Sequence, residues 1–200
     1  MQTIFYPRAD GSGSGAVQIN GTSYPSAFTA GTGSGVQAST EIRTDLAAAY
    51  IWRCFFPIDT SALTANATVT AVTFSLYRND NDSFSNTDST SIVLVPNSQA
   101  SNTSLATSDF GNITRTNKGS ATFASTSVNS YVDITISDFS FISLTGYTKI
   151  AVMTKRDFDQ STPTGGNIFS FAGASDGTHP PKLTVTYTLP SNGAFLYNFV

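Results

Sequence analysis

The sequence is poor in the residues that make most catalytic and metal sites. It has one cysteine, Cys54, and one histidine, His179, so no intrachain disulfide can form and a metal site of nitrogen and sulfur ligands is excluded in practice. Ser-His-Asp catalysis would depend on His179, and the Gly-x-Ser-x-Gly match at residues 11–15 lies in polar loop sequence rather than on a strand-to-helix turn. Glu41 is the only glutamate, and nothing marks two of the scattered aspartates as a hydrolytic pair. The sequence therefore predicts a protein that is not an enzyme and needs no cofactor.

Charge is also scarce. Charged residues make up 12% of the chain, against roughly 25% in ordinary soluble domains. The 10 lysines and arginines form no cluster, and the net charge is −3. Nucleic-acid binding needs a basic stripe that releases counterions from phosphate, so the composition argues against nucleic acid as a partner.

Long apolar runs are missing as well. No stretch reaches the length of about 18 apolar residues that a membrane-spanning helix needs, so no membrane span is expected. The N-terminal residues lack the basic start and apolar stretch of a signal peptide. With no export signal visible, the protein either acts inside the producing cell, or leaves it by lysis or non-classical export, or has had a signal removed. Of these alternatives we expect a virion or extracellular surface location.

Alternating apolar residues are the strongest positive signal. Residues 68–77 place Val72, Phe74 and Leu76 on one face and polar side chains on the other, which is the period of a half-buried strand. Residues 49–56 are apolar on both faces except for Arg53, which predicts a central strand buried on both sides. Further strands are predicted over residues 3–6, 36–44, 91–95, 130–136, 149–154, 167–172 and 182–188, and residues 17–24 are predicted to form a short strand with a turn at Asn20-Gly21.

The pattern between these strands excludes the α/β architectures. Only residues 44–49 look helical, which is too short to cover a sheet, and residues 97–120 read as loop with one short element near 105–110. We therefore predict an all-β fold, an antiparallel two-sheet β-sandwich that is jelly-roll-like. Residues 1–189 are expected to form a single domain with Gly/Ser-rich loops at 10–15 and 31–35, followed by an apolar tail at 190–200.

Arg53 poses a specific problem for this fold. An unpaired charge inside an apolar strand is costly, so its guanidinium must reach a carboxylate or backbone carbonyls. Asp59 is near in sequence, but the pattern does not assign the partner.

Three segments in order carry a family resemblance. They are RCFFPIDTSAL at residues 53–63, ATVTAVTFSLY at 67–77 and PKLTVTY at 181–187. The chain resembles the DNRLRE-type β-sandwich domains, which are related to carbohydrate-binding module family 96, although Ile58 stands where that family usually has Phe. The resemblance implies a jelly-roll-like sandwich in secreted, cell-surface or phage-associated proteins, and it does not identify a ligand.

Two functions are consistent with these features. The first is a structural or interaction protein on a particle or cell surface, most concretely a virion decoration or fibre-like protein that contacts other subunits of the same particle or forms a homo-oligomer. Its apolar tail would fold back as an edge strand or add a strand to a neighbouring subunit. The tail side chains concerned are Phe195, Leu196, Tyr197, Phe199 and Val200.

The alternative is a carbohydrate-binding module for polysaccharide adhesion, with glycans as partners. Sugar rings have apolar faces and hydroxylated rims, so they suit exposed flat rings beside neutral hydrogen-bonding groups. The candidate ligand-facing aromatics are Tyr24, Tyr50, Tyr77 and Tyr147. Calcium is a possible cofactor, because Asp80, Asp82 and Asp88 fall in one loop and hard cations prefer oxygen ligands.

Overall fold

The protein is an all-β sandwich of two antiparallel sheets packed face to face, as the sequence predicts. The computed structural model describes residues 1–20, 23–24, 26–37, 41–45, 50–79, 83–84, 90–123 and 126–190. Within these residues, none of the helices is long and apolar enough to cross a membrane.

The smaller sheet has four strands among the described residues, and strands from early and late in the sequence lie beside strands from its middle. In spatial order they are β1 (Gln2–Phe5), β13 (Lys182–Thr188), β6 (Thr68–Arg78) and β10 (Ser130–Ile136). The period-two pattern of β6 sets its register, because Val72, Phe74 and Leu76 are all buried and each pairs with a buried aliphatic residue of β10.

The described strands of the larger sheet number nine. They are β2 (Gly15–Ile19), β3 (Gly35–Gln37), β4 (Glu41–Asp45), β5 (Tyr50–Asp59), β7 (Ser83–Phe84), β8 (Ser91–Pro96), β9 (Gly119–Thr122), β11 (Tyr147–Thr154) and β12 (Asn167–Ser170). Strand β5 is the centre of this sheet, since it pairs with β2, β4 and β11.

Three sequence-based expectations about local structure need correction. The single strand expected over 36–44 is wrong, because residues 36–37 belong to β3, which pairs with β2, and residues 41–44 belong to β4, which pairs with β5 and β12. Residues 38–40 lie outside the described part of the chain. Strand β4 also includes residues 44 and 45, so the helix-like start at 44 is wrong, and residues 46–49 lie outside the described part of the chain. The region 97–120 contains the expected short element, which is a 3-10 helix at Thr107–Gly111. It also contains the start of strand β9, which the sequence did not predict.

The glycine-rich segment at 10–15 is a tight loop packed onto the domain. Gly13 has a φ of +77°, and a Cβ there would lie 2.5 Å from the carbonyl oxygen of Asn102. Only glycine adopts this conformation at such close approach without strain.

The main core fills the space between the two sheets. Phe56 of β5 and Phe74 of β6 meet across it with ring centroids 5.3 Å apart. Cys54 faces the same core, where its thiol donates to the carbonyl of Glu41 at 3.0 Å. Burial raises the pKa of this thiol, so Cys54 is a packed apolar group rather than a nucleophile.

A second core lies on the opposite face of the nine-stranded sheet. Ile51 and Phe55 of β5 point into it, which explains why this strand is apolar on both faces. Three short segments cover the core: the 3-10 helices Ser26–Thr29 and Thr107–Gly111, and the single α-helical turn α1 (Lys155–Phe158).

Arg53 holds this covering layer to the sheet. Its side chain is 1% exposed and binds Asp157 through two hydrogen bonds, from Nε to Oδ2 at 2.6 Å and from Nη2 to Oδ1 at 2.7 Å. It also donates to the carbonyls of Phe110 and Phe28, at 2.7 and 2.9 Å. One side chain of β5 therefore bonds to all three covering segments.

Arg115 adds a second cation to the same carboxylate. Its Nη2 lies 3.0 Å from Asp157 Oδ1 and 2.6 Å from the carbonyl of Phe28, and its Nη1 donates to the Asp157 carbonyl at 2.6 Å. The backbone N–H of Asp157 is bound in turn by Thr154 Oγ1 at 3.1 Å. The carboxylate is thus fixed from several directions inside the domain.

Replacing Asp157 with Asn should lower the free energy of unfolding by about 3–5 kcal/mol, because two guanidinium groups are then left without their counter-charge. Urea denaturation measures the change. The control is Asp159→Asn, two residues further on, where the carboxylate pairs with Lys155 at the surface and removal should cost about 0–1 kcal/mol. Equal losses from the two variants would contradict the role assigned to Asp157.

Candidate ligand-binding surface on the four-stranded sheet

Of the four sequence-predicted aromatics, Tyr24 packs against the second core, and Tyr50 is the first residue of β5. Tyr24 is half-buried, stacks against Phe28 with a centroid distance of 4.8 Å, and donates to the carbonyls of Asp45 and Tyr50 at 3.2 and 3.3 Å. Burial raises the pKa of Tyr24 to about 12. The guanidinium of Arg43 lies 5.0 Å from the centre of the half-buried Tyr50 ring. The structure therefore brings Tyr24 and Tyr50 together, with the hydroxyl of Tyr24 engaged in the fold.

The other two tyrosines lie on different sheets. Tyr147 is half-buried at the start of β11, opposite Asp59. Tyr77 lies near the end of β6 in the four-stranded sheet, directly opposite Tyr131 of β10. Of the four predicted residues, Tyr77 alone is part of the aromatic cluster described next.

The cluster consists of Tyr77, Tyr131 and His179, and we call it the aromatic surface. The His179 ring stacks on Tyr77 with centroids 3.9 Å apart and planes 12° apart. Tyr131 meets Tyr77 edge-on at 5.2 Å. The pairing of β6 with β10 places the two tyrosines on the outward face of the sheet, and all three rings remain partly exposed.

A cavity of about 390 Å³ opens beside the aromatic surface. Its wall combines flat or apolar groups with hydrogen-bonding groups, which is the usual make-up of a small-ligand site. The ammonium of Lys182 lies 3.7 Å from the centre of the Tyr131 ring and projects a cation over it. The lining residues include Tyr6, Tyr131, Asp176, Thr178, Pro180 and Lys182.

A short turn fixes the position of His179. Asp176 Oδ1 accepts the backbone N–H groups of Thr178 and His179, at 2.8 and 2.7 Å, and these hydrogen bonds hold the pKa of Asp176 below its usual range. Tyr131 Oη donates to the carbonyl of Pro180 at 3.2 Å. The turn and the sheet are therefore tied together on either side of the stacked ring.

Replacing Asp176 with Ala should release this turn and the stacked His179 ring, whereas Asp176→Asn keeps an accepting oxygen and should largely preserve it. Low pH acts in the same direction as the alanine variant. The pKa of Asp176 is lower in the folded protein than in the unfolded chain. Its carboxylate therefore stabilises the turn fully above the ordinary carboxyl pKa of about 3.9, and this stabilisation is lost as the pH falls through the pKa of the folded state. Amide exchange at Thr178 and His179 measures the effect, and equal protection in the wild type and in the alanine variant would contradict it.

Other sequence-predicted sites fall outside the part of the chain that the structure describes. These are the calcium candidates Asp80, Asp82 and Asp88 and the tail residues Phe195, Leu196, Tyr197, Phe199 and Val200. Among the described residues, no group of three or more His, Cys, Asp or Glu side chains is placed to hold a metal ion.

The sequence reasoning missed Tyr131, His179 and Lys182. Alternation along residues 130–136 does place Tyr131 outward, with Asp133 and Thr135. Tyr131 lies beside Tyr77 because β10 pairs with β6, although the two residues are more than 50 positions apart in the sequence. Local pattern carries no information about that pairing.

A scan of the chain against protein-family models finds no match, and a search of curated proteins finds no match either. The resemblance to DNRLRE-type domains therefore stays a prediction.

Proposed function

We propose that this protein is a non-enzymatic binding module of an extracellular or particle surface, and that its aromatic surface binds polysaccharide chains. The observation that carries the proposal is the stack of His179 on Tyr77, extended by Tyr131, on the outward face of a sheet. Tyr77 and Tyr131 are presented on paired strands, and His179 on a turn anchored by Asp176, beside a cavity that has both donors and acceptors.

The chemistry of the surface suits a sugar chain. A pyranose ring packs its C–H face on an aromatic ring and turns its hydroxyls outward, where they need short polar partners. The Lys182 ammonium and the Asp176 carboxylate border the cavity and supply a donor and an acceptor for such hydroxyls. A binding surface made of rings held by strands loses little conformational entropy when it binds.

The rest of this sheet face is hydroxyl-rich. Thr73, Thr135 and Thr184 lie in one row across β6, β10 and β13, and all three are at least partly exposed. The row continues the polar face away from the aromatic surface. It supports binding of an extended chain more than of a single small ligand.

Tyr131→Ala and His179→Ala should each weaken binding to a polysaccharide by about tenfold or more, because each removes a ring that a sugar packs against. A glycan array selects the polymer, and affinity electrophoresis in gels that contain it measures the change. The matched control is Tyr147→Ala, which removes a half-buried tyrosine on the other sheet and should leave binding unchanged. Equal losses in all three variants, or an array without selective binding, would reject the proposal.

A particle-subunit role is the second candidate, and the edge of the four-stranded sheet favours it. Within the described residues, β1 pairs only with β13, so its outer edge offers unpaired backbone groups to another chain. Ile4 and Tyr6, at 45% and 50% exposure, add apolar surface at this edge. An edge of this kind suits strand addition between subunits.

Ile4→Lys should shift the protein from oligomer to monomer in sedimentation velocity, since a charge at the pairing edge opposes strand addition. Val128→Lys is the control. Val128 precedes β10, is as exposed as Ile4 (46% against 45%), and is not part of the β1 edge, so this variant should leave the oligomer unchanged. A wild type that is monomeric at all concentrations would refute assembly through β1, and the glycan-binding proposal would be unaffected.

A further inference from the structure

A cavity of about 300 Å³ lies at the layer that covers the nine-stranded sheet, and two arginines contribute to its wall. Arg53 and Arg115 line it together with Phe28, Gly31, Gly111 and Gln160. Arg115 is about one-quarter exposed, whereas Arg53 is almost fully buried. The cavity is therefore a place where solvent or a ligand reaches the buried ion-pair network.

The charges at this wall do not cancel. Arg53 and Arg115 share the single carboxylate of Asp157, which leaves one positive charge in excess beside the cavity. Arginine stays protonated in proteins, so the excess cannot be relieved by loss of a proton. A positive charge in partly desolvated surroundings attracts an anion more strongly than the same charge in water.

Both guanidinium groups retain donor capacity. Each has five N–H groups. The contacts to Asp157, Phe28 and Phe110 use four of those on Arg53. Arg115 uses its Nη groups on Phe28, Asp157 and Phe158, and no hydrogen bond to the residues that the structure describes uses its Nε–H, which we assign to the ligand.

Gln160 stands at the mouth of this cavity in a strained conformation. Its φ is +55°, in the left-handed region that favours glycine. Its side-chain amide carries both a donor and an acceptor, and a backbone conformation held at some cost in the wall of a cavity is typical of a functional site.

We propose that this cavity binds a small hydroxylated carboxylic acid, of the sugar-acid class. The carboxylate faces Arg115, and the hydroxylated body contacts Thr29 and Gln160, which line the same cavity. The site lies on the opposite sheet from the aromatic surface, so it does not depend on the polysaccharide proposal.

Titration with glucuronate tests the inference, with glucose and sodium chloride at matched ionic strength as reference solutes. The readout is the Nε–H resonance of Arg115, assigned by its loss in Arg115→Lys. We expect a saturable shift with glucuronate and none with glucose or chloride. No saturable shift, or the same shift with chloride, would overturn the inference.

Gln160→Gly distinguishes ligand binding from a purely structural role. The change relieves the strained backbone and removes the amide, so the variant should melt at a higher temperature and bind glucuronate at least fivefold more weakly. The matched control is Asn129→Gly, which relieves a similar φ of +58° in the turn before β10 and should raise the melting temperature without changing affinity. Unchanged affinity in Gln160→Gly would overturn the assignment, as would an equal loss in Asn129→Gly.

Discussion

The salt bridge between Arg53 and Asp157 is the interaction on which the nine-stranded sheet depends. Both side chains are 1% exposed, so each charge has given up its water and relies on the other. An isolated pair of this kind gains little net stability, because desolvation offsets the attraction. Here the same guanidinium also has two further partners, because it donates to carbonyls of two covering segments. With Asp157 in the third segment, the buried Arg53 side chain therefore connects β5 to three separate segments of the chain.

This arrangement gives the two sheets different surroundings. One face of the nine-stranded sheet packs against the other sheet, and its second face lies under the covering segments. Among the described residues, no comparable layer covers the outward face of the four-stranded sheet, and Tyr77 and Tyr131 lie on that face. The two sheets therefore differ in how their outer faces are covered within the described part of the chain.

Much of the fold was readable from the sequence because it depends on local pattern. Alternation over 68–77 identified β6, and the doubly apolar run at 49–56 identified β5 as a strand buried on both faces. The need of Arg53 for a partner was also clear, but Asp59 nearby is exposed and the partner is Asp157, 104 residues away. The sequence did not predict the roles of Tyr131 and His179 for the same reason. Long-range strand pairing places Tyr131 beside Tyr77, and a turn anchored on Asp176 places His179 there.

The pairing of β1 with β13 has a consequence for how the chain is made. The backbone N–H of Tyr187 donates to the Met1 carbonyl, and Gln2 stands opposite Thr186. A ribosome releases β1 long before it makes β13, which begins only at Lys182, so the first strand waits without its partner while the intervening residues are made. Closing a loop of that length is slow, and completion of the smaller sheet is therefore a late event in folding, during which β1 is open to competing chains or to a chaperone.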